Sequence, residues 1–364
     1  MMGGIQRGAA VLLLSFILVL VPFGSVAADD AADSGGGTTV SDALGRTVTV
    51  PDDPSRIVLA GRAVALLANA LYLFPDVSER VVAVGKTNQG LGDFFPVLDD
   101  NAADKSRLGQ SAGAEEVLAR EPDLVILKNY MRDSLGEAIE TAGVPVVYLE
   151  LETPEQYNRD VRIIGQILGQ PERAEEVVEA FERRRSQLAE VTSEVEKPDV
   201  VLLSVSGRGG SSSFRVAPEG WMQGTQVELG GGNPIWFDRS LSPGWNEVQF
   251  EQIALWDPDV IVLVSYGRPA EEVRAQIESD AQWRTLQAVQ EDRVLAMPAD
   301  YHSWGQPDTR WILGAEWLAH ALHAEEFDEP FGERIYTFFN EFYGMDRSEY
   351  RRSIEPRLSG DLLD

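Results

Sequence analysis

The chain has 364 residues, carries 59 acidic against 31 basic side chains, contains no cysteine and is 44% hydrophobic. The formal charge of −28 argues against binding to nucleic acid or to an anionic membrane, because the protein would repel phosphate groups. The absence of cysteine excludes thiol catalysis, thiolate-bound zinc and iron–sulfur clusters. A chain of this length and hydrophobic content is long enough to form two folded domains.

Residues 1–28 predict a secretory signal peptide. Arg7 is their only charged residue, and the uncharged run that follows has its apolar centre at residues 9–21, which is short for a membrane span. We expect cleavage after Ala28, although the whole run could also be retained as a membrane anchor. Both alternatives place the rest of the chain outside the cytoplasm, in a periplasm or on the outer face of the cytoplasmic membrane. Residues 29–40, rich in Asp, Ala and Gly, are predicted to form a flexible tether.

The basic residues are divided unevenly between two types, since 31 basic residues include only 4 lysines and therefore 27 arginines. Few lysines on a strongly acidic chain indicate a surface adapted to high salt. A nucleotide bias toward arginine codons in an ordinary acidic exported protein explains the same composition. The sequence leaves both explanations open.

From residue 41 onward, short β-branched runs alternate with helical patterns, which is typical of parallel α/β units. In a first lobe, residues 41–152, the predicted strands are 57–60, 81–84, 124–127 and 144–149. In a second lobe, residues 197–327, the predicted strands are 200–205, 260–264 and 294–297. The predicted fold class is therefore α/β, with two parallel-sheet lobes.

Residues 153–196 have almost no strand character and are predicted to form a helical connector between the lobes. A capping box at residues 153–156 begins its first helix. A second helix is expected from 171 to 195 and would be about 35 Å long at 1.5 Å per residue. A helix of that length can join two lobes. Residues 328–364 are predicted to form a C-terminal helical tail.

An internal repeat relates the two lobes. Residues 115–127 align with residues 251–263, and each segment has the pattern of a short helix, a Pro-Asp turn and a buried strand. The leading residue is a glutamate in both segments, Glu115 and Glu251, seven residues before the proline. The repeat predicts two lobes of similar construction.

In this order and spacing, these segments resemble the substrate-binding proteins of ABC importers for iron–siderophore complexes, haem and cobalamin, whose lobes are joined by one long α-helix. The resemblance runs from about residue 42 to residue 327. It implies a ligand cleft between the lobes, a small-molecule cargo delivered to an ABC permease in the membrane, and a monomer with no enzymatic activity and no cofactor. It is carried by residues 42–51, 56–58, 115–127, 142–147, 230–233, 251–263, 311–314 and 317–319.

The resemblance also implies a role for the two repeated glutamates. In this family one glutamate on each lobe contacts arginines of the permease, and the matching positions are Glu115 and Glu251. An exposed carboxylate on a rigid helix suits an arginine side chain, and two carboxylates would also fix orientation. Glu116 is the neighbouring alternative, and a merely solvated acidic surface would explain the same residues.

Candidate ligand-binding residues follow the predicted strands, because open parallel sheets bind ligands beyond the carboxyl ends of their strands. Aromatic rings supply apolar area and guanidinium groups pair with anionic oxygens, so such a set suits a flat anionic chelate. Trp221 and Trp236 are as compatible with the core as with the site. The candidates are Arg62, Tyr130, Arg132, Tyr266, Arg268, Tyr301 and Trp304, and the same loops also hold Lys86, Asn88, Arg208, Ser213, Phe214 and His302.

The expected cargo is an iron complex such as a siderophore. Cobalamin, haem and a small oxyanion such as molybdate or tungstate are the alternatives within the same receptor role. The sequence does not separate them.

Two further patterns indicate other chemistry. Residues 109–113 fit the Gly-x-Ser-x-Gly motif of serine hydrolases around Ser111, with Asp259 and His302 in the required order. That motif must follow a strand, and we expect none in the polar residues 101–107. His320 and His323 lie three apart on a predicted helix, but a zinc site needs more ligands. We therefore expect no catalytic residues and no metal ligands, with a secreted serine hydrolase as a distant alternative.

Overall fold

The computed structural model describes residues 37–87, 89–206, 212–237 and 242–363. They belong to one compact unit that runs from Gly36 to Asp364, and no helix among them is long and apolar enough to cross a membrane. The predicted signal peptide and residues 29–36 of the tether lie outside the described residues. Residues 37–40, which the sequence assigned to the tether, belong to a strand instead.

The first lobe contains a hairpin followed by a parallel sheet. The hairpin strands β1 (Gly37–Ser41) and β2 (Thr47–Pro51) are antiparallel. The sheet strands are β3 (Ile57–Leu59), β4 (Val81–Gly85), β5 (Ser106–Leu108), β6 (Leu124–Lys128) and β7 (Val146–Leu149). They are all parallel and lie in the order β5-β4-β3-β6-β7.

The second lobe contains a sheet that is parallel at its centre and antiparallel at one edge. Its strands are β8 (Asp199–Ser206), β9 (Ser213–Val216), β10 (Asn233–Pro234), β11 (Asn246–Val248), β12 (Val260–Ser265) and β13 (Val294–Ala296). The order is β11-β9-β8-β12-β13, and β10 also pairs with β8. β9 and β11 are the antiparallel strands, a feature that the sequence did not predict.

Helices cover both sheets. The predicted capping box is present at the start of α6, between Thr153 and Gln156. The helices are α1 (Val64–Leu71), α2 (Val77–Arg80), α3 (Phe95–Leu98), α4 (Ala114–Leu118), α5 (Glu137–Thr141), α6 (Pro154–Leu168), α7 (Pro171–Val191), α8 (Met222–Leu229), α9 (Phe250–Trp256), α10 (Ala270–Ser279), α11 (Gln287–Gln290), α12 (Trp311–Leu322), α13 (Phe331–Tyr343) and α14 (Arg347–Ser353).

The long helix α7 joins the two lobes, as the fold class predicted. It has 21 residues, which corresponds to about 32 Å, and it ends at Val191 rather than at 195. Near its start, Arg173 Nε donates to the Leu73 carbonyl of the first lobe at 3.0 Å. Just after its end, the Thr192 hydroxyl donates to the Leu229 carbonyl of the second lobe at 3.2 Å. One rigid element is therefore anchored in both lobes.

The repeat extends to the backbone conformation. α4 precedes β6 in the first lobe, and α9 precedes β12 in the second. Glu121 and Asp257, which end the two helical segments, both adopt left-handed conformations with φ of 51° and 48°. The carboxylates of Asp123 and Asp259 each accept a backbone N–H from a neighbouring segment. The two lobes thus share a local structure at equivalent positions.

The C-terminal helices pack over the contact between the two lobes around Phe94, which we call the seam. Phe94 of the first lobe has its ring centroid 5.3 Å from that of Tyr301 in the second lobe. The same ring lies 6.4 Å from Phe339 and 5.6 Å from Tyr343, both on α13. The Tyr343 hydroxyl donates to the carbonyl of Asn69 in α1 at 3.3 Å. α13 therefore completes part of the core of the first lobe.

Candidate functional site

A cavity of about 240 Å³ lies between the two lobes. In the first lobe its walls follow β3, β4, β6 and β7, and in the second lobe they include the segments after β9, β12 and β13. The carboxyl ends of both sheets therefore meet here, which is where open parallel sheets bind ligands. Its lining residues are Ala63, Leu66, Gln89, Tyr130, Glu152, Trp221, Gln223, Trp245, Tyr266, Gln306 and Pro307.

Aromatic rings form the wall that the second lobe contributes. Trp221 and Trp245 meet edge to face with ring centroids 5.8 Å apart, and Trp245 lies 6.3 Å from Tyr266. The Arg215 guanidinium carbon lies 5.5 Å from the Trp245 ring centroid. Such rings offer flat apolar area to a ligand and lose little conformational entropy on binding.

The wall from the first lobe carries a tyrosine and a paired carboxylate. Tyr130 is 53% exposed, but desolvation in the cleft raises the pKa of its phenol to about 12, with Glu152 adding to the rise and Arg62 opposing it. Glu152 Oε1 lies 2.8 Å from Lys128 Nζ. Because this carboxylate is paired with a lysine, it adds little net charge to the wall.

Two buried glutamines complete the lining on the side of the second lobe. Gln223 is 1% exposed and Gln306 is 2% exposed. Gln223 Nε2 donates to the Gly305 carbonyl at 2.9 Å, and the Tyr266 hydroxyl donates to the same carbonyl at 3.2 Å. In the described part of the chain, Gln223 Oε1 and both amide atoms of Gln306 have no hydrogen-bond partner.

The loop after β4 crosses to the second lobe beside the cavity. Gly90 N donates to the Tyr266 carbonyl at 2.6 Å, and Leu91 N donates to the Tyr301 carbonyl at 2.8 Å. Gly90 has a φ of 145°, and a Cβ at this position would lie 2.7 Å from the Tyr301 carbonyl oxygen. Only glycine permits so close an approach. The crossing holds the neighbouring Gln89 at the edge of the cavity.

Some of the predicted ligand residues lie at the cleft. Tyr130 and Tyr266 line the cavity. Arg62 is exposed and adjoins the lining residue Ala63, so it lies at the rim. Two further candidates from the same loops, Asn88 and Arg208, fall outside the described residues.

Two predicted arginines do not line the cavity. Arg132 pairs with Glu137 of its own lobe at 3.5 Å. Arg268 donates to Ser212 Oγ at 2.7 Å. Each follows a strand as predicted, but each contacts a residue of its own lobe rather than the cleft.

Tyr301 and Trp304 lie in the interior, so their predicted contact with ligand needs correction. Tyr301 is 7% exposed, and its hydroxyl donates to the Ser353 carbonyl at 3.1 Å. Trp304 is fully buried, with its indole N–H donating to Asp300 at 3.0 Å. The C-terminal helices cover this loop, as the 6.0 Å between the ring centroids of Trp304 and Phe331 shows. Both side chains stabilise the fold instead.

The cavity also contains residues that the sequence did not single out. Trp245 precedes β11 rather than following a strand, so the rule that ligand residues follow strands does not predict it. Gln223 and Gln306 have neither a charge nor an aromatic ring, the two features by which ligand-binding candidates were predicted from the sequence. Trp221, which was compatible with either location, lines the cleft, whereas Trp236 is fully buried.

The serine-hydrolase motif is placed differently from the sequence prediction. β5 ends at Leu108, just before the motif around Ser111, so the strand that we did not expect is present. However, Asp259 precedes β12, whereas His302 follows β13, and these two strands are parallel. Asp259 and His302 therefore lie at opposite ends of the second sheet, about 20 Å apart for a six-residue strand. They cannot join one catalytic triad.

The two histidines near the end of α12, His320 and His323, have structural contacts. The His320 ring stacks on Phe327 with centroids 3.6 Å apart. A ring nitrogen of His323 hydrogen-bonds to the Gly231 carbonyl at 3.1 Å. Across the described ranges, no group of three or more histidine, aspartate or glutamate side chains is arranged to hold a metal ion.

A larger hollow of about 520 Å³ lies between the end of α1, α2 and the end of α13. Its only lining arginine in the described chain, Arg173, already donates to the Leu73 carbonyl. The hollow lies on a helical surface rather than at the carboxyl end of a sheet. The cleft between the lobes is therefore the candidate ligand site.

The two repeated glutamates lie in the first turns of α4 and α9 and are exposed. Neither Glu115 nor Glu251 has a side-chain hydrogen bond or ion pair with another described residue. Glu116 differs, because its carboxylate accepts the backbone N–H of Gly109 at 3.2 Å. Of the two neighbouring glutamates on α4, Glu115 is the one available to a partner.

Comparison with known proteins agrees with this architecture. Residues 57–301 match a family model described as periplasmic binding protein. The molybdate-binding protein MolA of Haemophilus influenzae is 26% identical over 341 residues, which cover 86% of this chain and 92% of that protein. A cobalamin-binding protein of Halobacterium salinarum is 22% identical over 287 residues, which cover 78% of this chain and 74% of that protein.

A solved structure shares the fold. MolA bound to molybdate aligns with a TM-score of 0.69 and 22% sequence identity, covering 85% of this chain and 98% of that chain. At this identity the likeness establishes the fold alone. The family match extends over more than half of the chain, and the chain therefore belongs to the periplasmic binding protein family.

Proposed function

We propose that this chain is the extracytoplasmic receptor of an ABC importer, which captures a small molecule in its cleft and delivers it to the permease. The observation that carries the proposal is the cavity at the meeting point of the carboxyl ends of both sheets. The receptor role requires binding and release, and it assigns no chemical step to the protein. The predicted signal peptide supports a location outside the cytoplasm.

The proposed cargo is an organic metal complex with a flat apolar face. A strongly anionic chelate would need cationic side chains in the cleft, and Arg132 and Arg268 do not line the cavity. A corrinoid offers ring area and uncharged polar arms, which suit the lining better than an anionic ferric siderophore does. Because a corrinoid is much larger than a cavity of about 240 Å³, only one edge of it would enter the cleft. The relative from Halobacterium salinarum is named a cobalamin-binding protein. The aromatic lining that supports this choice consists of Tyr130, Trp221, Trp245 and Tyr266.

A bare oxyanion is the second candidate within the same receptor role. It is favoured by the relative named for molybdate, which aligns over most of both chains. An oxyanion is bound by hydrogen-bond donors and cations, and it has no apolar surface to pack against aromatic rings. Ferric siderophores and haem come after corrinoids among the organic cargoes.

Titration of the purified chain with cyanocobalamin, ferrioxamine B, haemin and molybdate tests the proposal. We expect one organic complex to bind stoichiometrically and to quench tryptophan fluorescence. Trp245→Ala should weaken that binding about tenfold, as loss of a buried aromatic contact does. Tyr336→Ala, which alters an aromatic residue on α13 away from the cleft, is the control and should leave affinity unchanged. Binding of molybdate alone would refute the organic cargo, and binding of none of the four would refute the receptor role for these ligands.

We also propose that α4 and α9 form the two contacts with the permease. Their glutamates Glu115 and Glu251 are exposed, and they occupy equivalent positions in the two lobes. Two carboxylates on separate rigid lobes suit a pair of arginine side chains on the membrane partner and would orient the cleft above it.

A further inference from the structure

Gln306 is an unsatisfied polar side chain inside the cleft. It is 98% buried, since its exposure is 2%. In the described structure its amide nitrogen and amide oxygen both have no hydrogen-bond partner. Buried amides in folded proteins are almost always paired, and an unpaired amide lowers stability. The amide atoms of Gln306 are also almost inaccessible to solvent, so a ligand in the cavity would become the missing partner once this side chain turns toward it.

Gln223 adds a second atom of known polarity. Its Nε2 lies 2.9 Å from the Gly305 carbonyl, which can only accept, so the amide orientation is fixed by this bond. The free atom of the side chain is therefore the oxygen Oε1, an acceptor to which no described residue donates. The Gly305 carbonyl also accepts the Tyr266 hydroxyl and is already well occupied.

Together the two side chains define what a complementary ligand must offer. Gln223 Oε1 and Gln306 Oε1 need hydrogen-bond donors, and Gln306 Nε2 needs an acceptor. A molybdate or tungstate ion has acceptors only and could satisfy only the last of these atoms. A carboxamide group carries N–H donors and a carbonyl acceptor side by side, so it matches both kinds of need.

We propose that Gln223 and Gln306 are specificity-determining residues that recognise an amide group of the cargo. This inference rests on the proposed receptor function and narrows it to organic ligands with amide N–H and C=O groups at their edge. The aromatic rings of the cleft contact the flat part of such a ligand, while the two glutamines form hydrogen bonds with the amide groups at its edge.

The test combines a change in the protein with a change in the ligand. The probes are cyanocobalamin, which carries carboxamide arms, and the heptamethyl ester of cobyrinate, in which esters replace amides and no N–H remains. Ferrioxamine B provides amide groups on an unrelated metal complex. The variant Gln306→Met keeps the length of the side chain and removes its polar atoms. Gln276→Met, at an exposed position on α10, is the matched control.

We expect the unchanged protein to bind an amide-bearing probe at least tenfold more tightly than the ester. Gln306→Met should reduce the affinity for that amide-bearing probe at least tenfold and change the affinity for the ester less than threefold, whereas Gln276→Met should change neither. Thermal melting verifies that both variants are folded, and Gln306→Glu, which keeps acceptors but loses the donor, should also bind more weakly.

Three results would overturn the inference, and they are distinguishable. An equal loss of affinity for the amide-bearing probe and for the ester in Gln306→Met would show that this residue supports the cavity but does not bind the amide group. Unchanged affinity for the amide-bearing probe in Gln306→Met would remove its role while leaving the proposed cargo intact. Tight binding of molybdate without binding of any amide-bearing probe would overturn both the inference and the organic cargo, although the receptor role would survive.

Discussion

Arg310 is a fully buried charge that ties the lobes together at the seam. Its Nε lies 2.7 Å from Asp300 Oδ2, and its Nη1 lies 3.4 Å from Asp308 Oδ2. Asp308 also accepts a hydrogen bond from Asn69 Nδ2 of the first lobe at 2.7 Å. The ring of Phe94 lies 4.3 Å from the guanidinium carbon. Loss of one member would leave a buried charge unpaired, which is far more destabilising than loss of an exposed ion pair.

His302, beside this cluster, predicts how stability responds to acid. Burial lowers the pKa of the imidazole to about 3, Arg310 lowers it further, and Asp300 opposes the shift. In the unfolded chain the pKa is about 6.5, so the unfolded state binds the proton first and stability falls as the pH drops below 6.5. Asp308 acts in the opposite sense, because burial raises the pKa of its carboxyl to about 6 and the folded state binds that proton first.

We therefore expect His302→Gln to remove the destabilising part of this response and to leave the part from Asp308. Chemical denaturation at pH 6.5 and pH 4.5 measures the free energy of unfolding of both proteins. At about 1.4 kcal/mol per pH unit, the variant should gain roughly 2 to 3 kcal/mol relative to the unchanged protein over this interval. An equal change in the free energy of unfolding for the two proteins between pH 6.5 and pH 4.5 would show that His302 is not kept neutral by its surroundings.

The residues of the cleft illustrate how far sequence reasoning extends. Tyr130 and Tyr266 are predictable, because a polar aromatic residue directly after a buried parallel strand lies at the ligand-binding edge. Tyr301 and Trp304 follow the same rule but are covered by helices that lie beyond residue 330, and no local pattern reveals such a distant contact. Gln306 becomes notable only when its lack of partners is known.

At the scale of elements, all seven strands predicted from the sequence are present, with ends shifted by at most two residues. Parallel strands buried on both faces appear as continuous apolar runs, which is a strong local signal. The strands that were missed are short or polar, and β5 with its sequence Ser-Arg-Leu is an example. Such strands are defined by pairing with a neighbour, which a sequence pattern does not contain.

The helices α4 and α9 give a prediction about docking. Replacing both Glu115 and Glu251 by Lys should sharply reduce uptake of the cargo by cells of the native host, because the two proposed contacts with the permease would become repulsive. Affinity for the cargo in solution should change less than threefold, which corresponds to less than 0.7 kcal/mol, since both helices lie outside the cavity lining.

The double variant Glu325→Lys and Glu326→Lys provides the control for this charge reversal. It makes the same change in net charge on exposed residues next to α12, and uptake should remain near normal. Loss of cargo affinity in the Glu115 and Glu251 variant would mean that these carboxylates maintain the cleft, and the assignment to docking would be wrong.

At the scale of the whole molecule, the net charge of −28 predicts a dependence of stability on salt. Repulsion among the acidic side chains destabilises the compact state, and salt screens it because the Debye length falls from about 10 Å at 0.1 M to about 3 Å at 1 M. The melting temperature should therefore rise by several degrees between 0.05 and 2 M KCl, with the steepest rise at low concentration. A flat or falling melting temperature would contradict a surface adapted to high salt.

The seam at Phe94 also determines when the first lobe can finish folding. Phe94 and its partner Phe339 are 245 residues apart, as 339 minus 94 gives. At synthesis rates of 5 to 20 residues per second, α13 is made about 10 to 50 s after Phe94. During that time the nascent first lobe lacks part of its core, so we expect it to stay incompletely folded on the ribosome. A polypeptide that matures only after its last helices emerge is well suited to translocation across a membrane in an extended form.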